Sequence, residues 1–247
     1  MNKLLKKAFR FAKRTSRHIQ KIVKSFDHTV VLSLGENCLA DDILRRNGLK
    51  SFSSPYSAGR SNIEYVLAFE GERYSDFLNP AYLRKEPSNS NTIVVRNKKY
   101  MDLCNSYHPT VIHGFEFTHH DVLDNPHDKD ALNRRCYRML HLKKKRLVFL
   151  YHHRLCDQTD FELLIRHLNQ YAEIYRSRGN EVSIFLFTQK IITTPDERRV
   201  EQHLDNGIHF YTFHTLTEWA GDDPDILWAR CDNDLIRVMI NHIKQAL

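Results

Sequence analysis

Six short apolar runs punctuate the chain, at residues 29–34, 92–96, 110–117, 147–151, 182–187 and 208–213. Each is rich in β-branched or aromatic residues, and that pattern predicts strands. Between and after them, apolar positions recur at helical spacing over 39–47, 61–69, 129–142, 159–177, 196–206 and 224–246. That spacing predicts helices. Leu147-Val148-Phe149-Leu150 and Ile184-Phe185-Leu186-Phe187 are apolar throughout, as strands covered on both faces are. The alternation predicts a three-layer α/β/α sandwich with a mostly parallel sheet. The segment 85–91 is polar, with Pro87 and two serines, and predicts a surface loop.

Residues 2–25 carry another pattern. Leu5, Ala8, Ala12, Ile19, Ile22, Val23 and, just beyond, Phe26 follow helical spacing, with Lys and Arg filling the rest. This predicts a basic amphipathic helix over 1–26, ahead of an α/β catalytic domain over 27–247. Charge sharpens the division. Residues 1–25 hold nine Lys or Arg and no acid, so a net charge of +7 leaves about −2 for the other 222 residues. Basic amphipathic helices bind anionic membrane surfaces, and the tail is expected to do so. A solvated arm, or a helix packed on the body, is the plainer reading of the same residues.

The body's basic run is Lys143-Lys144-Lys145-Arg146, so no specific nucleic-acid partner is expected. Five cysteines at 38, 104, 136, 156 and 231, with no Cys-x-x-Cys pair, argue against a disulfide framework and a thiolate zinc site. No apolar run nears the length of a transmembrane helix, and the N-terminus lacks a secretory core. The expected location is cytoplasmic, peripheral at the inner face of the cytoplasmic membrane.

In parallel α/β sheets, active sites gather beyond the carboxyl ends of the strands. That rule selects 35–38, 118–121, 152–154, 188–189 and 214–217. Cys38 is the leading candidate. Gly35 permits a tight turn, Asn37 suits a helix N-cap, and Cys38 would fall in the first helical turn. Free backbone N–H groups there favour a thiolate and can hold an oxyanion. Asp41 and Asp42 oppose a low thiol pKa, so a basic partner is required. The plainer reading is a small buried apolar cysteine.

Ser33-Leu34-Gly35-x-x-Cys38, followed by Leu44-Arg45-Arg46-x-Gly48-Leu49 and Pro55-Tyr56, resembles the bacterial putative papain-like cysteine peptidase family of unknown function. His120-Asp121 and Trp219-Ala220-Gly221-Asp222 resemble later elements of that family. The resemblance spans roughly 28–235. It implies a Cys–His pair, with Cys38 as nucleophile and His120 as its partner. It extends distantly to capsule-biosynthesis acetyltransferases. Ser57-Ala58 departs from the family's Asp-Trp. If that Asp orients a base, another residue must do so here.

Fifteen histidines are present, most of them expected on the surface or in packing. Thr118-His119-His120-Asp121 follows a predicted strand end, where a general base belongs. Asp121 is the nearest candidate to orient His120, with Glu116, Asp42 and Asp222 behind it. His119, His153 and Arg154 are candidates for substrate binding. His119, His120, Asp121, Asp124, His127 and Asp128 also invite a metal reading with zinc, iron or manganese. Their spacing matches no helical His-x-x-x-His arrangement, and no resident metal or cofactor is expected. Trp219 and Trp228 read as core anchors. No glycine-rich phosphate loop and no Gly-x-Ser-x-Gly elbow is present.

The expectation is therefore a cysteine-dependent acyl-transfer enzyme. An acyltransferase acting on a bacterial surface glycan, with an acyl-CoA donor, stands first. A thiol hydrolase, a non-catalytic membrane-docked module and a metal-dependent hydrolase are the alternatives.

Overall fold

The computed structural model describes residues 29–88, 92–103 and 106–247. The expected helix at 1–26 lies outside them. A five-stranded sheet forms from β1 (Thr29–Gly35), β5 (Arg146–His152), β6 (Glu181–Ile191), β8 (Ile208–Thr215) and β7 (Arg199–Asp205), in that spatial order. The first four are mutually parallel and β7 is antiparallel to β8. β1 is an edge strand, and Ser51 covers it: its N–H donates to Val31 O at 3.0 Å and its Oγ accepts from Val31 N at 2.9 Å. That pairing occupies the edge bonds of one residue in mid-strand.

Helices cover both faces. Helices α1 (Leu39–Arg46) and α6 (Asn233–Gln245) pack Leu39, Ile43, Ile236 and Ile240 on Val148, Leu150, Phe185 and Phe187. Helices α2 (Ile63–Gly71), α3 (Pro126–Leu140) and α4 (Phe161–Arg176) pack Phe69, Met139 and Leu168 on Leu147, Phe149, Leu186 and their neighbours. The alternation of β5 residues between the two cores follows from the period-two strand geometry. The three-layer sandwich with a mostly parallel sheet is thus present.

Five expected elements differ. The runs at 92–96 and 110–117 do not join the large sheet. They contribute β3 (Ile93–Asn97) and β4 (Phe115–Phe117) to a separate antiparallel sheet, preceded by a one-turn helix at Pro109–Val111. The third strand, β2 (Leu83–Pro87), takes in residues 85–87 of the segment expected to be a loop. Its exposed charged side chains hide a strand that tertiary pairing imposes. The helix expected at 196–206 is a one-turn helix at Pro195–Glu197 followed by β7. Asn206 and Gly207 both take positive φ, 47° and 81°, and form the two-residue turn that joins β7 to β8. An Asn-Gly pair in that conformation is a hairpin signal, and it overrides the helix-favouring Glu201-Gln202. The last predicted helix is broken into α5 (Pro224–Leu227) and α6, with Ala229 at positive φ between them.

The small sheet shares a core with the large one. Phe77 lies 4.9 Å from Phe115 and 5.2 Å from Phe117, edge to face or tilted, and Phe69 and Tyr56 close the cluster. Gly59 is where the chain crosses this sheet. A Cβ there would sit 2.6 Å from Glu116 O and 2.7 Å from the Phe115 ring, so only glycine fits.

Candidate active site

β1 ends at Gly35, whose φ of +113° suits glycine. Three residues on, Cys38 is the N-cap of α1, with φ −71° and ψ −9°. The cap therefore falls one residue after Asn37, whose Oδ1 instead accepts the Leu39 N–H at 3.0 Å. The first helical bond runs from Asp42 N–H to Cys38 O at 2.9 Å. Among the described residues, no protein acceptor faces the N–H groups of Ala40 and Asp41. They are the unspent donors of a helix start.

The surroundings of Cys38 come from three segments. Ser61 N–H donates to Glu36 O at 2.8 Å, and Arg60 and Glu116 exchange both backbone bonds at 3.0 Å. These bridges set Arg60 and Glu116 beside the Cys38 turn. The Arg60 Nε is 3.6 Å from Glu116 Oε1. Glu116 is otherwise spent: Arg96 donates twice to Oε2, at 3.2 and 2.6 Å, and Thr118 Oγ1 donates to Oε1 at 3.1 Å. Asp41 is held by Lys50 Nζ at 2.6 Å and Ser33 Oγ at 3.0 Å. Ser57 is buried beneath it, 3.2 Å from both Ser33 Oγ and Ser54 Oγ.

Burial, then the Asp41 carboxylate, push the Cys38 thiol up to about 11, against the opposing pull of Arg60. Glu116 adds to the rise, and the cysteine's own N–H lowers it. The helix start therefore does not produce a resting thiolate; desolvation and the nearby acid outweigh it. Asp42 is turned away, paired with Arg45 and Arg46.

His120 follows β4 on the loop that leads into α3. Its Nε2 meets Arg135 Nη2 at 3.2 Å. Burial, then Arg135, lower its pKa, with Asp128 opposing. Cys38 and His120 make no hydrogen bond to each other in the resting arrangement. Asp121 does not touch the imidazole. Its Oδ1 accepts Leu123 N–H and Asp124 N–H, and its Oδ2 pairs with Lys85 Nζ at 2.7 Å. Lys85 holds that carboxyl below the usual range. His119 is exposed. Thr118, His119, His120 and Asp121 border a groove of about 270 Å³ closed on the other side by β3.

The metal reading of 119–128 has no support in this geometry. Asp128 Oδ2 accepts the Asp121 N–H, Asn125 caps α3, and Asp121 and Asp124 share Lys85. Among the described residues no three His, Cys, Asp or Glu side chains converge as metal ligands do.

A second cluster closes the carboxyl ends of β1 and β5. The buried Glu36 carboxylate accepts His153 Nδ1–H at 2.9 Å, Tyr151 O–H at 3.3 Å and Arg154 N–H at 2.8 Å. His153 Nε2 is 3.2 Å from Thr159 Oγ1 at the start of α4. His153 is 1 % exposed, which closes it to substrate, while the Arg154 guanidinium reaches Glu218 and Trp219 O, each at 3.5 Å. Beside it, His152 stacks on Phe187 at 4.7 Å, and burial pushes its imidazole down to about 3. Trp219 is a core anchor as expected, with Nε1 on Asp232 at 2.8 Å.

Glu36, Arg60 and Arg135 escape sequence reasoning. Glu36 had a signal: a carboxylate just past a strand-ending glycine, level with the end of β5. Arg60 had none, because a long-range bridge to Glu116 brings it in, and Arg135 reaches His120 from the following helix.

The strand–turn–helix that presents Cys38 beside the Arg60 guanidinium makes this turn the candidate thiol site of the α/β sandwich. The family model described as putative papain-like cysteine peptidase matches residues 29–190, well over half of the chain, and the protein belongs to that family. No curated protein and no solved structure matches the chain. Among the described residues, no helix is long and apolar enough to cross a membrane.

Proposed function

We propose that Cys38 is the nucleophile of an acyl-transfer reaction and His120 its proton carrier. The single observation that carries this reading is the Cys38 turn itself, where a thiol caps a helix whose Ala40 and Asp41 N–H groups have no protein acceptor. Those two groups would hold the oxyanion as sulfur attacks the acyl carbon. The resting thiol and imidazole are both shifted toward their neutral forms. His120 would therefore act as a general base during attack, not as half of a standing ion pair. It takes the Sγ proton, Arg135 releases its Nε2, and the proton passes to the leaving group. The acceptor's hydroxyl then attacks the thioester, gives its proton to His120 and frees the thiol.

Water as acceptor makes the enzyme a hydrolase, in keeping with the family's description. A hydroxyl of a bacterial surface glycan, acylated from an acyl-CoA, is the finer reading; the membrane-seeking composition of residues 1–26 supports it. The exposed His119 would contact the substrate at the groove; Arg154, held at Glu218 and Trp219, is not part of its lining.

The test is acyl-enzyme formation from an activated thioester, read by intact mass and peptide mapping. The adduct should sit on Cys38, vanish in Cys38→Ala and slow sharply in His120→Ala. An adduct on another free thiol, or equal rates in His120→Ala, would sink the assignment.

A further inference from the structure

The large sheet ends at β7, and that edge is open. Among the described residues, no group outside β8 bonds to the backbone of 199–205. An edge strand aims alternate N–H and C=O groups outward, ready to pair with another strand. Proteins blunt such edges with proline, lysine, a bulge or a short strand. β7 has none of these: it runs seven residues in unbroken register with β8 and contains neither Pro nor Lys. Five of the seven are exposed, Leu204 at 66 %.

The strand reads Arg199-Val200-Glu201-Gln202-His203-Leu204-Asp205, and its two halves complement each other about Gln202. Two antiparallel copies centred there set Arg199 opposite Asp205, Val200 opposite Leu204 and Glu201 opposite His203, each pair twice. Strand alternation sorts these pairs by face. Odd positions lie on the side of Phe210, against whose ring His203 packs edge to face at 4.6 Å. Even positions lie on the side of Phe213, where Val200 joins the core. One face therefore carries four acid–base pairs and the other two apolar pairs flanking the glutamines. Glu201 holds Arg199 at 2.7 Å and His214 at 3.2 Å within its own chain. Its carboxylate has acceptor sites left for a further partner.

Neighbouring registers lack this match. Centring on Glu201 sets Arg199 against His203 and Glu201 against itself. Centring on His203 sets Glu201 against Asp205. Like charges directly opposite are destabilising, so the pattern selects one register. Parallel in-register pairing would stack every charge on its own kind.

We infer that the outer edge of β7 is the docking surface for a second copy of this chain, paired antiparallel about Gln202 across a two-fold axis. The contact is isologous and closes at two copies, so it consumes the edge and does not propagate. The two sheets join into one of ten strands, and Leu204 leaves water against the other copy's Val200. A single strand pair lies at the small end of specific interfaces, so the association is reversible. Cys38 follows β1, at the opposite edge of the sheet, so the inference does not rest on its chemistry.

The experiment is analytical ultracentrifugation of the full chain over a range of concentrations. The native chain should show a reversible monomer–dimer equilibrium. Arg199→Asp and Asp205→Arg each turn two opposite-charge pairs of the homodimer into like-charge pairs, and each should raise Kd about tenfold or more. Mixed in equal amounts, these two variants restore opposite charges at both positions, so they should form a heterodimer with near-native Kd. Leu204→Lys should weaken the dimer while its unfolding temperature stays native, since the side chain is exposed. A native chain that stays monomeric at every attainable concentration would overturn the inference. So would a dimer indifferent to both charge reversals, or a mixture that associates no better than either variant alone.

Discussion

Two histidine pairs look alike in sequence and meet opposite fates in the fold. His152-His153 ends β5, and His119-His120 follows β4. His153 has the better hydrogen bonds. It donates to a buried carboxylate, and its other nitrogen meets a hydroxyl. Yet it is closed off, and each partner belongs to a different element: Glu36 to the end of β1, Thr159 to the start of α4. His120 has one contact, with a guanidinium, and it borders a groove. A carboxylate–imidazole–hydroxyl chain is therefore not by itself a catalytic sign. Here the well-bonded histidine locks three elements together, and the loosely held one keeps a nitrogen and a path for chemistry.

The sharpest way to break that contrast is mutation of each histidine. His153→Ala leaves the Glu36 carboxylate buried and short of a partner, which should destabilise the protein by about 3–5 kcal/mol in chemical denaturation. His120→Ala should leave stability within about 0.5 kcal/mol, as changes on partly exposed loops do. It should slow acylation by about 10²–10⁴-fold. A stable His153→Ala protein that has lost acylation would reverse the two roles.

The neighbouring His152 sharpens the contrast through pH. Its native imidazole stays neutral down to about 3, whereas the unfolded chain binds that proton near the ordinary value of 6.5. Between those limits the unfolded state carries more protons, so stability falls as pH drops, by at most about 1.4 kcal/mol per pH unit. His152→Phe should flatten this part of the denaturation profile. The smallest effect belongs to the thiol. Alkylation of Cys38 should rise about tenfold per pH unit up to pH 10 without a plateau. Arg60→Ala should move that profile to higher pH, because Arg60 is the side chain that favours the thiolate. A plateau near neutral pH would indicate a resting ion pair.

Legibility followed burial. Strands β5 and β6 read plainly because both faces are covered, so their apolar runs are continuous. Strands β2 and β7 did not, because their side chains are mostly exposed and pairing with the next strand, not burial, holds them; β3 and part of β4 read as strands, but their membership of a separate sheet did not. Within the site, Cys38 was readable because its setting is local: strand, glycine, helix. His120 was readable by its place after a strand. Asp121 was read as its orienter from adjacency alone, and the structure spends that carboxylate on Lys85 and two backbone N–H groups. Arg60 and Glu36 act on the site through bridges between residues 36, 61, 60 and 116 that no local pattern announces.

Ser57 stands where the resemblance in sequence would place an aspartate. Its hydroxyl is hydrogen-bonded to the Ser33 and Ser54 hydroxyls and the Ser54 N–H, beneath Asp41. A carboxylate there would add a second negative charge near the thiol and raise its pKa further.

β1 also has a mechanical meaning. Its amino end carries the tail and its carboxyl end leads to Cys38, and it lies parallel to β5 along its length. Tension applied at residue 29 would run along the strand axis, loading the β1–β5 hydrogen bonds in shear. In that geometry the bonds share the force and do not open one at a time, so a pull on residue 29 would reach the thiol only after the whole ladder had yielded.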